Sequence, residues 1–193
     1  MGIEHPYHDF DNTAFAAQAV ERLAALGRRR LALLAPPANL SYFHHMRDGF
    51  AEALAEHGLT EAPLTGVTVD HSIEAIRART AEMMRRKVRP DGIVSGAGAA
   101  TFALVAGIED AGFRLGSDID IVSKQASRLL HLLRPQIHVV NENVRLAGFE
   151  LARAVMARIA GKPVGSLQSL SRPDAVESSF GSMAQANGDA ACR

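Results

Sequence analysis

Tryptophan is absent from the 193 residues, and Cys192 is the single cysteine. One thiol excludes a disulfide framework and any cysteine-based metal site. An excess of either charge is also missing: 21 Lys and Arg balance 21 Asp and Glu. A nucleic-acid surface should show a basic excess or stripe, so neutrality argues against one. No apolar run approaches the ~18 residues that a membrane span needs. The opening stretch "MGIEHPYHDF" lacks the charged-then-apolar pattern of a secretory signal, so the cytoplasm is the expected compartment and no membrane partner is expected. What is present is ordinary globular composition, 47% apolar and 22% charged, enough for one large domain or two small lobes.

Helix and strand patterns alternate along the chain. Phe15, Ala19, Leu23 and Leu26 share one helical face. Asp11 or Asn12 can cap that helix, and Gly27 stands where a left-handed C-terminal residue belongs. Residues 31–35 are a continuous apolar strand stopped by Pro36 and Pro37, with Arg28, Arg29 and Arg30 as a solvated turn before it. Ser41 opens a second helix carrying Phe43, Met46, Phe50 and Leu54, closed by Gly58. "GVTVD" (66–70) reads as a strand, and Ser72 caps a third helix with Ile73, Ile76, Thr80 and Met83. A strand at 92–95, a helix stopped by Gly112 and a strand at 119–123 continue the series. The rhythm breaks after Ser123, where "IHVVNEN" reads as one more strand before a helix over 144–160. A weak strand at 164–170 follows, and from Asp174 a tail of Ser, Ala, Gly and Asn without periodicity reads as disordered. Alternation of this kind predicts an α/β fold with parallel, right-handed crossover units.

Three stretches carry a family likeness. "DNTAFAAQAVERLAALGRRRLALLAPP" with "MRDGFAEALAEHGL", then "RPDGIVSG" with "ALVAGIEDAGFRLGSDIDIVS", then "VNENVRLAGFELARAVMARIAGKPV" together resemble the effector domain of LacI/GalR-type (lac-repressor-type) transcriptional regulators. The resemblance covers residues 11–173 in order. It implies a fold like that of periplasmic binding proteins, with two lobes, a crossover hinge, and a small ligand, usually a sugar, bound between them. It also implies a homodimer, with the helix over 41–57 at its face, and no cofactor. On this reading the distal lobe is complete over 30–125, with 164–173 as its last strand. Residues 1–29, including the helix from Asn12, are a remnant of the DNA-proximal lobe. Residues 126–163 are crossover and proximal-lobe helix, and 174–193 are the tail. DNA contact would run only through a headpiece that the 193 residues do not contain, and Met1 can be an internal start.

Ligands of parallel sheets lie off the carboxyl ends of the strands, here 35–39, 70–71, 95–98 and 123–125. Ser95 and Gly96 stand in the third of these, where relatives carry polar side chains. Where the family places an arginine three residues before the glycine of "R-x-x-G-F", this chain has Met46, with Arg47 one step on. One step rotates a side chain about 100° around a helix, so Arg47 serves either the ligand or a surface salt bridge or dimer face. Where relatives carry an aspartate after the fourth strand, Gln125 replaces the acid and Lys124 stands beside it. A cleft less acidic than the usual sugar site follows, which extends the expected effector from a sugar to a sugar acid. Asp11 matches a family acid near the cleft, with a helix cap as its other role. Tyr42 and Phe43 can stack on a sugar ring or fill the core.

Two other readings compete. "GIVSGAGAATF" offers Gly96 and Gly98 to a Rossmann-like nucleotide-binding enzyme, but Thr101 takes the third glycine's place, and Asp118 starts a strand instead of ending one. A secreted solute-binding protein would share the fold but needs an export signal. His5 with His8, and His44 with His45, lack the spacing of a helical zinc site. No catalytic residue has sequence support, and no enzyme is expected.

Overall fold

Leu31, Leu33 and Leu34 lie in consecutive turns of one strand, and all are shut away from solvent. An extended chain points alternate side chains to opposite faces, so burial of the whole run requires helices on both sides. In the computed structural model, which describes residues 5–134 and 136–177, that is the arrangement. The elements are β1 (Tyr7–Phe10), α1 (Asn12–Ala25), β2 (Arg30–Leu34), α2 (Ser41–Glu56), β3 (Thr60–Glu61), α3 (Ile73–Met84) and β4 (Gly92–Ser95). They continue with α4 (Gly98–Asp110), β5 (Asp120–Gln125), α5 (Leu129–Leu133), β6 (His138–Asn141), α6 (Val144–Ile159) and β7 (Gln168–Ser171). Five strands form one parallel sheet in the order β3-β2-β4-β5-β6, while β1 and β7 form a separate parallel pair.

Each strand serves two cores. Leu31, Leu33, Val94, Val122 and Val140 face α1 and α2, where they meet Phe15, Leu23, Met46 and Phe50. Ala32, Leu34, Ile93, Ile121 and Val139 face α3 and α4, against Ile76, Met83, Leu104 and Ile108. Glycines set the closest approach in both helix pairs. A Cβ at Gly49 of α2 would overlap the Thr13 carbonyl of α1, and one at Gly107 of α4 would overlap Arg77 O of α3. Gly27 closes α1 at a φ of 81°, a left-handed value that side chains resist.

Several expectations need correction. α1 is no leftover of another lobe: Phe15, Ala16, Ala19, Val20 and Leu23 are buried against the five-stranded sheet. Residues 66–70 form a loop, not a strand, and the edge strand is Thr60–Glu61, because the 66–70 segment makes one backbone bond toward β2, from Val69 N to Ala35 O, and otherwise turns on itself through Thr68 and His71. The sheet does not end at residue 125, since β6 pairs with β5 from Val122↔His138 to Gln125↔Asn141. The strand near 164–173 is no part of that sheet: residues 164–167 are a short 3-10 turn, and β7 pairs with β1 from Tyr7↔Gln168 to Phe10↔Ser171. Ser41 begins α2 but does not cap it, as Leu40 holds the cap position without a side-chain bond. Glu177, read as part of the tail, exchanges two backbone hydrogen bonds with Val139. Residues 178–193, Cys192 among them, lie outside the described residues. Among these, no helix is long and apolar enough to cross a membrane.

At the other end of the sheet, the Arg28 guanidinium holds Asp120 at 2.6 Å, and Asp120 lies 4.0 Å from His138 Nε2. Burial, with Arg22 nearby, pushes the His138 imidazole below its ordinary value of 6.5, against the pull of Asp120. The folded chain therefore binds this proton less readily than the unfolded chain, so the contribution is complete above 6.5 and shrinks as the pH falls below it. His138→Gln should flatten the loss of urea stability between about pH 6.5 and pH 5.5 relative to the parent chain. Gly49→Ala and Gly107→Ala should each lower stability by about 1–3 kcal/mol through overpacking. Gly148→Ala, in α6 with open space around it, should be neutral or stabilising by roughly 0.5–1 kcal/mol in the same denaturation series.

Candidate functional site

Parallel strands all end on one side, so the segments leaving β4, β5 and β6 converge there. α1 and α2 start at the same edge. Together they frame a cleft of about 420 Å³ lined by Asp9, Asn12, Tyr42, Gly96, Lys124, Gln125 and Glu142, with Phe10, Ala97, Gly98 and Ala126 between them. That volume is in the range of small-molecule sites, roughly 300–1,000 Å³.

The floor is built around a buried lysine. β5 runs to Gln125, two residues beyond the strand read from sequence, which draws Lys124 into the sheet at 4% exposure. Its ammonium meets Glu142 Oε1 at 2.6 Å and also donates to Asn12 Oδ1. The Phe15 and Tyr42 rings each hold it with their centroids 4.9 Å away. The Tyr42 hydroxyl donates to Gly96 O, which ties the first turn of α2 to the segment after β4. Burial raises the Tyr42 phenol above its usual range, and Glu142, Asp70 and Asp9 push it the same way. Beneath the turn at 96–98 lie three buried hydroxyls. Thr101 Oγ1 is 2.8 Å from Ser95 Oγ, 2.7 Å from Ser123 Oγ and 2.9 Å from Ala97 O. They fix the start of α4, whose cap residue Ala97 offers no side-chain bond. The amide hydrogens of that first turn therefore remain available at the rim.

Of the residues singled out from sequence, Tyr42, Gly96, Lys124 and Gln125 line the cleft. Ser95 is buried in the hydroxyl cluster below it. Met46 is fully buried in the core, with its sulfur under Gly96. Arg47 does not reach the cleft, because the extra step around α2 turns it to Glu61, which it grips at 2.7 and 3.1 Å. Asp11 is a cap, accepting from Ala14 N at 2.9 Å, and it lines neighbouring hollows instead. Phe43 packs edge-on against His44 and lies outside the lining. Both ring nitrogens of His8 are taken, by Ser169 and Ser171 at 2.9 Å. Among the described residues no group of three metal-ligating side chains gathers. Thr101, the third position of the glycine pattern, spends its hydroxyl inside the protein.

Asp9, Asn12 and Glu142 escaped the sequence reading. Glu142 directly follows β6 and obeys the same strand-end rule that picked out Gln125, but its strand had been assigned to a crossover. With Asp9 and Glu142 present and Lys124 neutralised, the cleft is not short of acid, which removes the basis for expecting an anionic ligand. Because Lys124 is nearly sealed and Glu142 is partly exposed, Glu142→Ala should cost about 3–5 kcal/mol by leaving a buried charge alone. Lys124→Met should cost less, and the double substitution should recover part of the loss. Urea denaturation of the three variants measures all of these.

Residues 20–177 match the family of periplasmic binding protein-like domains. The HTH-type transcriptional regulator AglR of Rhizobium meliloti is 30% identical over 168 residues, 85% of this chain and 45% of AglR. A regulatory protein of the LacI family from Chloroflexus aggregans superposes with a TM-score of 0.78 at 23% identity, covering 90% of this chain and 63% of that one. The CelR–cellobiose complex, also a transcriptional regulator, gives a TM-score of 0.75 at 24% identity over 91% of this chain and 54% of that one. The chain spans about half the length of the curated relatives it matches. These relatives and neighbours are regulators, not enzymes. The chain belongs to the family of periplasmic binding protein-like domains.

Proposed function

We propose that the cleft at the carboxyl ends of β4, β5 and β6 binds a small sugar-like effector, and that its occupancy controls DNA binding by a longer regulator. One observation carries the reading. Polar groups from five segments converge on a preformed cavity of about 420 Å³ next to an aromatic ring, Tyr42. Hydroxylated ligands need that combination: fixed acceptors and donors for directionality, and a flat apolar face for the ring carbons. The cellobiose held by CelR supports the class of ligand, since that protein shares the fold. Asp9 and Phe10 come from the β1–β7 pair, while the other walls belong to the five-stranded sheet. A ligand touching both would favour one relative angle through its differential affinity, with couplings of about 1–3 kcal/mol typical of such sensors. The homodimer and the DNA contact belong to the same proposal.

Titration calorimetry with a panel of neutral mono- and disaccharides should find at least one that binds, and Gln125→Ala should weaken it by about tenfold through loss of a hydrogen bond left unmade. A panel without a binder, or saturable binding of NAD in its place, would sink the reading.

A further inference from the structure

The side chains of the cleft divide sharply by what they still have to offer. Each side-chain donor already donates inside the protein. Lys124 spends its ammonium on Glu142 and Asn12 between two rings. Tyr42 donates to Gly96 O, Gln125 Nε2 to Asn141 Oδ1 at 2.8 Å, and Asn12 Nδ2 to Phe10 O at 3.0 Å. Asn12 and Gln125 keep one amide hydrogen each, and the other groups that remain are acceptors. Glu142 has one oxygen on Lys124 and the other without a hydrogen bond. Asp9 uses Oδ1 on the Phe10 amide at 2.8 Å, leaving Oδ2. Gln125 is 4% exposed, and its Oε1 is buried without a partner. A buried acceptor left unmatched costs about 1–3 kcal/mol, so Gln125 calls for a donor from a ligand.

Charge points the same way. Two carboxylates and one ammonium line the cleft, a formal balance of −1. Asp70 adds to the negative field felt at Tyr42. Arg128 and Arg145 line an adjoining hollow that shares Gln125, Ala126 and Glu142 with the cleft, and Asp174 and Glu177 balance them there. The remaining donors are neutral, the second amide hydrogens of Asn12 and Gln125 and the backbone amides that open α4, suited to a hydroxyl or ring oxygen.

Resting on the reading of this cleft as an effector site, we infer that the effector carries a protonated amine among its hydroxyls, a compound of the amino-sugar class. Its ammonium supplies protons and charge to Glu142, Asp9 and Gln125, and its oxygens take the amides of α4. A carboxylate or phosphate in the same place would meet two carboxylates and a lysine already paired.

The test is a matched series on the 193-residue chain: cellobiose, the β-1,4-linked glucosamine disaccharide that replaces its 2-hydroxyls with amines, and cellobionic acid. At low salt and below the amine's pKa, the diamino sugar should bind about tenfold tighter than cellobiose, and the acid weakest. The advantage should vanish above the amine's pKa and shrink in ~1 M salt. Asp9→Asn, which leaves the Lys124 pair intact, should narrow the gap between amine and neutral sugar. Equal or tighter binding of cellobiose, or tightest binding of the acid, would overturn the amine and leave the effector site standing. Binding of none of the three would overturn both together.

Discussion

Taking an ammonium out of water is expensive, and the cleft is organised around the one place among the described residues where a lysine is buried. Lys124 sits at the end of β5 with almost no exposed surface. A buried cation of this kind is tolerable only when its partners are fixed in number and position. Glu142 from the end of β6, Asn12 from the start of α1, and the rings of Phe15 and Tyr42 supply them. Four segments that are distant in sequence are thereby held at one point. Tyr42 then carries the constraint to Gly96 through its hydroxyl. The walls of the cleft follow from the demands of the lysine.

The sheet explains why the site lies there. With both faces covered by helices, the only open ends of the parallel strands are their edges and tips. The tips on the carboxyl side carry the crossovers into helices, where backbone is irregular and polar groups face outward. At β4 the crossover is a bare Gly-Ala-Gly, with no side chain to fill the space, and the hydroxyls of Ser95, Thr101 and Ser123 lock it from below. A Cβ at Gly96 would come within 3.0 Å of the Tyr42 hydroxyl, and one at Gly98 within 3.0 Å of Lys124 O. Small residues here keep the cavity open and the packing beneath it close.

The sequence was most legible where local chemistry and burial agree. Residues 31–34 of β2 and 93–94 of β4 are apolar because both faces of the sheet are covered, and the caps at Asp11, Ser72 and Gly27 are set by their own backbone neighbourhoods. It was misleading where pairing decides structure. "GVTVD" alternates like a strand but has no partner strand, while Thr60–Glu61 carries no pattern and pairs with Arg30 and Leu31. A helical stripe such as that of α1 tells that one face is covered and not by which sheet. The same ambiguity sent β6 to the wrong layer, and Glu142 was lost with it. Arg47 was decided by rotation: one residue's shift along α2 exchanges the cleft for Glu61.

α6 stands apart from this scheme. None of its residues is buried, and Leu146, Phe149, Val155, Met156 and Ile159 remain exposed beside the two-stranded pair of β1 and β7. Among the described residues, two strands and a helix leave these side chains without a second apolar layer. Their placement rests on local ties, among them Asp11 N to Ser171 O at 2.8 Å and the two serine contacts of His8. Asp9 belongs to this two-stranded part, whereas Glu142, Gln125 and Lys124 lie at the end of the five-stranded sheet. On the proposed reading, a ligand that engages Asp9 and Glu142 at once bridges the two parts. The energy of that contact would then favour one relative angle, which is the quantity the proposed sensor has to transmit.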